Sequence, residues 1–275
     1  ANTTANDNVA VGYLALTANT TATNNTAVGT SSGTALTTGA LSTFVGSNAG
    51  AAATTVSNNT AVGAYAFDAG TGADNTAVGA GALGGSSNSA ADNTALGKDA
   101  GNAISTGADN VVIGSAAGYA ITTGARNLVV GKAAGQNLTT GDDNVAVGRA
   151  ALYTATTVSD LVAVGKNALY ANTTGTSNTA VGYESQAATT TGADNTSVGY
   201  DSLVANTTGT DNTAIGADAL KANSTGNYNT AVGYRAADSV TTGTYNVAMG
   251  RRALDDVTTA SYNVAIGSSA LENNT

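Results

Sequence analysis

The sequence predicts an all-β fold: a parallel β-roll, or β-solenoid, built from seventeen-residue coils. Three observations predict it. First, a glycine preceded by Val, Ile, Leu or Met recurs at Gly12, Gly29, Gly46, Gly63, Gly79, Gly97, Gly114, Gly131, Gly148, Gly165, Gly182, Gly199, Gly216, Gly233, Gly250 and Gly267. Second, thirteen of the fifteen steps between them are seventeen residues, and the other two, sixteen up to Gly79 and eighteen up to Gly97, cancel. A fixed short period marks an array of stacked coils. Third, a chain of 275 residues with 35 Gly, two Phe and no Pro, Trp, Cys or His cannot fill a wide globular core. A glycine-rich chain of low charge could be disordered, but disorder has no use for constant spacing.

Each coil is read from its glycine, position 0. Position −4 is Asn in fourteen of sixteen copies, with Ser42 and Leu161 the departures. Position −3 is Thr or Val, with Leu128 once, −2 is nearly always Ala, and −1 is Val, Ile, Leu or Met. β-branched residues at this density favour a strand ending in Val-Gly. Position +3 is Ala or Ser and +4 is often Leu or Gly, which predicts a second short strand over this segment. Thr-Thr-Gly or Ser-Thr-Gly follows, at Gly39, Gly107, Gly124, Gly141, Gly175, Gly192, Gly209, Gly226 and Gly243, and reverses the chain with the Asx residues. Thr, Val, Asn and Gly are weak helix formers, so a helical reading fails.

In-register stacking places identical residues about 4.8 Å apart. Asn8, Asn25, Asn59, Asn110, Asn144, Asn178, Asn212, Asn246 and Asn263 are therefore expected to form a structural ladder, their amides bonded from coil to coil. The two irregular steps predict a bulge within residues 81–92 that leaves both sheets intact. Residues 1–275 read as a single repetitive roll of about sixteen coils. Ala1-Asn2-Thr3-Thr4 matches the second half of a repeat, the chain stops inside another, and neither end shows the polar cap a solenoid needs. The expectation is a slice of a longer array, with any signal or anchor outside it.

The strand is apolar or small on both faces, because −3 and −1 point one way and −2 the other. Burial on both faces is expected of such a strand. One face suits the thin interior of the roll; the other implies a second chain, so a homo-oligomer is expected, and closed cyclic symmetry is the usual solution.

The Asn-x-x-Val-Gly-x-x-Ala-Leu pattern resembles the YadA-like head repeat of trimeric autotransporter adhesins. Asn144-Val145-Ala146-Val147-Gly148-Arg149-Ala150-Ala151 and Asn263-Val264-Ala265-Ile266-Gly267-Ser268-Ser269-Ala270 are most similar to it. The period here is longer than in that family, and the Asn sits one residue nearer the glycine. Similar Asn-Thr-Ala-Val-Gly-Tyr repeats occur in phage tail-fibre-like proteins. The resemblance implies a left-handed roll assembled as a parallel trimer. It also implies a non-enzymatic extracellular role, as the stalk or head of an adhesin at the cell surface that attaches to surfaces, matrix or other cells, or as the shaft of a virion fibre. An ice-binding roll is the remaining alternative, since stacked Thr rows can match an ordered lattice.

Without His or Cys the usual bases, thiol nucleophiles and soft metal ligands are missing, so no catalytic residue, cofactor or metal site is assigned. Asp142-Asp143 and Asp255-Asp256 read as solvated turn carboxylates. Nine basic against eighteen acidic residues, a net charge of −9, is the wrong sign for binding nucleic acid. No run of eighteen apolar residues suggests membrane contact within this segment. The candidate ligand-binding surface is the row at position +1: Lys98, Lys132, Arg149, Lys166, Tyr183, Tyr200, Tyr234 and Arg251. Its expected ligand is an anionic polysaccharide or a matrix or cell-surface protein. Tyr228, Tyr245 and Tyr262 form a second row, expected to stack at a turn, with sugar stacking as its functional alternative.

Overall fold

A computed structural model describes residues 4–85 and 88–273. Among them the secondary structure is β-strand and turn, without helix: sixteen strands of three residues, one per coil, from β1 (Val9–Val11) to β16 (Val264–Ile266). The chain divides into two compact units, residues 1–142 and 143–275. The first carries the strands up to β8 (Leu128–Val130), the second those from β9 (Val145–Val147) onward. Within each unit successive strands pair parallel and in register, as in Ala61↔Ala77 in the first and Ala214↔Ala231 in the second. The chain is thus a β-solenoid whose coils follow the glycines.

The expected second strand is absent, and with it the second sheet. Positions 0 to +7 form two consecutive tight turns instead. In the first coil Ala15 N–H donates to Gly12 O and Asn19 N–H donates to Leu16 O. Positions +2 and +4 are left-handed: Leu152 has φ 54°, Leu169 49°, Leu203 53° and Leu220 50°. A left-handed leucine costs roughly 1–2 kcal/mol, and neighbouring coils offset this. Every second N–H of the segment reaches the adjacent coil, as Leu16 N–H to Ser32 O at 3.1 Å and Ala18 N–H to Thr34 O at 3.2 Å. The backbone is bonded like a sheet while folded too tightly to be a strand.

Both irregular steps are absorbed outside the strands. Thr60 pairs Thr76, and Thr76 pairs Thr94, in unbroken register. Gly70 bridges Asn88, which restores the turn after the longer step. Within the stretch 81–92, where a bulge is expected, Ser86 and Ser87 lie outside the described residues.

The interior is narrow and takes one side chain from each of three positions per coil. At −2, Ala27, Phe44, Val112, Ala146 and Ala214 are fully buried. Positions +4 and +7 share the remaining space. Gly118 accompanies Val112 and Ile121, and a Cβ on it would lie 2.7 Å from Ile121 Cδ1. Gly33 accompanies Leu36, and its Cβ would lie 2.9 Å from Phe44 Cδ2. Where +4 is a large residue, as at buried Leu203 and Leu220, position −2 is small (Ser197, Ala214) and +7 is Asn206 or Asn223. Interiors pack densely, so each coil conserves volume while changing which position supplies it.

The asparagines at −4 stand in a ladder. Asn25, Asn59, Asn110, Asn144, Asn178, Asn212 and Asn246 are buried; Asn8 and Asn263 are half-buried. Their Nδ2 groups donate across the coil, usually to the carbonyl fourteen residues ahead, as Asn110 to Gly124 O at 2.9 Å and Asn212 to Gly226 O at 2.8 Å, and at the short step Asn59 to Gly72 O at 3.0 Å. Each Oδ1 accepts the next asparagine's N–H: Asn127 to Asn110 and Asn229 to Asn212, both 3.0 Å. Leu161 accepts nothing by its side chain, but its own N–H still donates to Asn144 Oδ1 at 3.1 Å. Ser42 substitutes on a shorter arm, its hydroxyl taking the Asn59 N–H at 3.2 Å.

Candidate interaction surfaces

In the outward rows repeated side chains meet solvent in a fixed pattern. Strand alternation sends −3 and −1 outward, while −2 is sealed inside on every strand but β1, where Ala10 is exposed. On β4 (Thr60–Val62) to β6 (Thr94–Leu96) in the first unit, Val62 is 36% exposed and Leu96 47%. In the second unit Val198 is 39%, Ile215 41% and Met249 41% exposed. Each unit therefore presents a half-open stripe of Thr, Val and Ile along its strands, without a charged residue at either outward position.

The +1 row does not form one run. Lys98 and Lys132 belong to the first unit, where Lys98 pairs with its neighbour Asp99 at 3.3 Å. Arg149, Lys166, Tyr183 and Tyr200 follow on successive coils of the second unit, and Tyr234 and Arg251 come after an interruption at Ala217. The structure brings three of these eight together. The Lys166 ammonium sits 4.8 Å above the Tyr183 ring centre and 3.4 Å from its hydroxyl, and Tyr183 stacks on Tyr200 at 5.1 Å. The Asp201 carboxylate, with a smaller contribution from burial, holds the Tyr200 phenol above its ordinary value.

Tyr228, Tyr245 and Tyr262 stack at position −5, with ring centres 4.8 and 5.1 Å apart and planes within 13° and 3°. All three have positive φ, near 60°. Their ring faces cover one another, so a sugar has an open face only at the ends of the stack. Tyr153 and Tyr170, at position +5, form a further pair at 5.1 Å.

Sequence reasoning missed an ionic ladder at +2 and +5 in the second unit. Lys221 binds Asp218 at 2.7 Å and reaches Asp201 at 3.6 Å. Arg235 binds Asp238 at 2.7 Å and Asp255 at 3.6 Å; Arg252 binds Asp255 and Glu272, each at 2.7 Å. Asp255 is therefore not the solvated turn carboxylate expected from the Asp255-Asp256 pair. Its side chain is fully buried between two guanidiniums from successive coils. The signal was present as alternating charge signs at these two offsets, and it becomes legible only once +2 and +5 are known to be adjacent. Burial raises the Asp238 carboxyl despite its bond to Arg235, and likewise Asp201 despite Lys221. The bonded carboxylates raise Lys221 and Arg235 in turn, Asp218 first for the lysine and Asp238 first for the arginine.

Among the described residues no group of three or more carboxylates is placed to hold a metal ion. Among the described residues no helix is long and apolar enough to cross a membrane. Comparison with known protein families, curated proteins and solved structures finds no match to this chain.

Proposed function

We propose that this chain is a non-enzymatic segment of an extracellular fibre, the stalk or head of a trimeric adhesin at a cell surface, assembled from parallel copies of itself. One observation carries the reading: coil after coil leaves an uncharged pair, Thr, Val or Leu at −3 and Val, Ile, Leu or Met at −1, partly or fully open on its outer strand face, while −2 is buried on every strand but the first. Exposed apolar surface that repeats along an array is a cost to a monomer, and a symmetric partner offering the same stripe removes it. The resemblance to YadA-like head repeats supports three copies, with the strands nearest the axis.

Attachment then works by repetition. The basic and aromatic run from Arg149 to Tyr200 offers several weak contacts, and symmetry multiplies them; linked weak sites gain apparent affinity through effective concentration. The ligand class that fits is an anionic polysaccharide or an acidic matrix protein. The same architecture would serve a virion fibre shaft. One observation favours the ice-binding alternative: Thr157, Thr174, Thr191, Thr208, Thr225, Thr242 and Thr259 form an unbroken exposed row. A second row of Thr and Ser lies beside it, but both follow a bend at the turn and not a flat strand, so the fibre reading is preferred.

Sedimentation equilibrium of the purified chain tests the proposal. The expected mass is three times 26.4 kDa, reduced to one chain by Val147→Asp on the outer strand face and unchanged by Thr208→Asp at a turn, since only the first would bury an unpaired charge. A stable, dispersed wild-type monomer overturns it.

A further inference from the structure

The stacked, exposed tyrosines at position −5 of the second unit have no task in the fibre reading. Their rings are not needed to fill the interior: Tyr228 and Tyr245 are each 48% exposed and Tyr262 77%. Nor does solvation explain them, since an exposed turn position is served equally by the Asp or Asn found there on other coils, such as Asp194 and Asp211. What the three rings share is enforced proximity. Each sits on a left-handed turn residue, and Tyr228 N–H donates to Thr210 O, Tyr245 N–H to Asn227 O and Tyr262 N–H to Thr244 O, all within 3.1 Å. The backbone register therefore fixes their separation at 4.8 and 5.1 Å.

We propose that the Tyr228–Tyr245–Tyr262 stack is a site of oxidative coupling, at which a one-electron oxidant of the peroxidase–hydrogen peroxide class joins neighbouring coils by a dityrosine bond. Each phenol gives up one electron and its hydroxyl proton. The two radicals combine through the ring carbons next to the C–O carbon, forming one carbon–carbon bond. The hydrogens on those two carbons then move to the oxygens and restore both phenols. Two tyrosines and one hydrogen peroxide thus give one dityrosine and two waters.

Radical pairing is ordinarily limited by encounter, and holding the partners in contact removes that limit. Tyr245 has a ring on each side, so a radical formed at any member has a partner within one coil spacing. The Tyr183–Tyr200 pair is less suited. The Lys166 ammonium above the Tyr183 ring disfavours removing an electron from it. The product would close a loop of seventeen residues between adjacent coils and make local unfolding of that segment harder. This inference is independent of oligomeric state and of any ligand.

The experiment exposes the dilute full-length chain to a haem peroxidase and hydrogen peroxide, then digests it with trypsin. Cleavage after Lys221, Arg235, Arg251 and Arg252 separates the three rings onto peptides 222–235, 236–251 and 253–275. Expected products are linked pairs of neighbouring peptides, each lighter by two hydrogens, with dityrosine fluorescence and fragment ions placing the link at Tyr228, not Tyr234. Mixing heavy- and light-isotope chains should give no mixed-label links in this stack. Tyr245→Phe, which preserves the exposed ring and its turn, should lower the yield of both links at least tenfold, while Tyr65→Phe leaves it unchanged. Equal linkage in urea, a yield insensitive to Tyr245→Phe, or links that join only separate chains would each overturn the proposal.

Discussion

The two units solve one backbone problem with different side chains. In the first, position +4 is mostly glycine (Gly33, Gly50, Gly101, Gly118 and Gly135), and the volume comes from Phe44 and Val112 at −2 or Leu36, Ile104, Ile121 and Leu138 at +7. In the second, Leu152, Leu169, Leu203, Leu220 and Leu254 supply it from +4, and +7 is free to become Asn172, Asn206 or Asn223. Those asparagines cap the following turn: the Gly175 N–H reaches Asn172 Oδ1 at 3.0 Å, and Asn172 Nδ2 reaches Gly175 O at 2.9 Å. The outer surfaces differ as well. The stacked tyrosine pairs and the ionic ladder described above belong to the second unit, whereas Tyr13, Tyr65 and Tyr119 of the first lie on non-adjacent coils. The coil tolerates exchange among interior positions provided their sum holds, and the backbone ladders, common to both units, do not depend on which exchange is made.

If that is right, changes to the shared ladders should cost the same in either unit. The largest effect is expected at the strand-ending glycines. Gly114 has φ 133° and Gly216 130°, and a Cβ would lie 2.6 Å from Gly131 O and 2.5 Å from Gly233 O respectively. Gly114→Ala and Gly216→Ala should each destabilise by about 3–5 kcal/mol, combining backbone strain with overpacking against main chain that cannot move aside. Urea unfolding monitored by circular dichroism measures this; a cost confined to one unit breaks the comparison.

Interior changes come next, and they should separate the units by position. Leu220→Ala empties +4 in the second unit and Ile121→Ala empties +7 in the first; each should cost about 2–5 kcal/mol. The reverse exchange sharpens the point. Gly118→Leu should destabilise by about 1–3 kcal/mol in the wild-type chain, where Val112 and Ile121 already occupy the space, and by less in the Ile121→Ala background. Additive effects in that double mutant would show that the two positions do not share volume.

The asparagine ladder should again treat the units alike. Asn110→Ala and Asn212→Ala each remove a donor to a cross-coil carbonyl and an acceptor for the next coil's N–H. About 1–3 kcal/mol is expected for either, because the orphaned groups are buried. Hydrogen exchange at Asn127 and Asn229 reads the loss directly.

The smallest effect is expected at the ionic ladder of the second unit. Burial lifts the Asp201 and Asp238 carboxyls above the ordinary value of 3.8, so the folded chain retains these protons where the unfolded chain has lost them. Stability from this source is greatest at acid pH and declines as pH rises from 3.8 through the folded values. Lys221 has the same sign in the alkaline range: raised above 10.5, its contribution is complete below that pH and is lost as pH rises through its folded value. Asp238→Asn should flatten the acid slope by less than about 1 kcal/mol, given how exposed the partner arginine is. Denaturation midpoints of the variant and wild type compared across the acid range would show it, and an unchanged slope would remove Asp238 from the account.

The sequence by itself determined the coil length, the strand and the asparagine ladder. Each of these is a property of one repeated position: a β-branched pair flanking a small residue makes a strand wherever it recurs, and seventeen-residue spacing leaves parallel register as the way to stack it. The Ala-Leu segment was misread as a second strand because leucine ordinarily avoids left-handed φ, and nothing local announces that Leu169 or Leu220 adopts it. Only the bonds from those turns to adjacent coils, together with burial of the leucine, make that conformation the lower in free energy. Tertiary structure likewise decided that Asp255 is buried between Arg235 and Arg252 and that Tyr228, Tyr245 and Tyr262 touch. Apart from Arg252 and Asp255, three residues apart, those contacts join residues seventeen or twenty apart in the chain, and they exist because stacking converts a sequence period into a distance of one strand spacing.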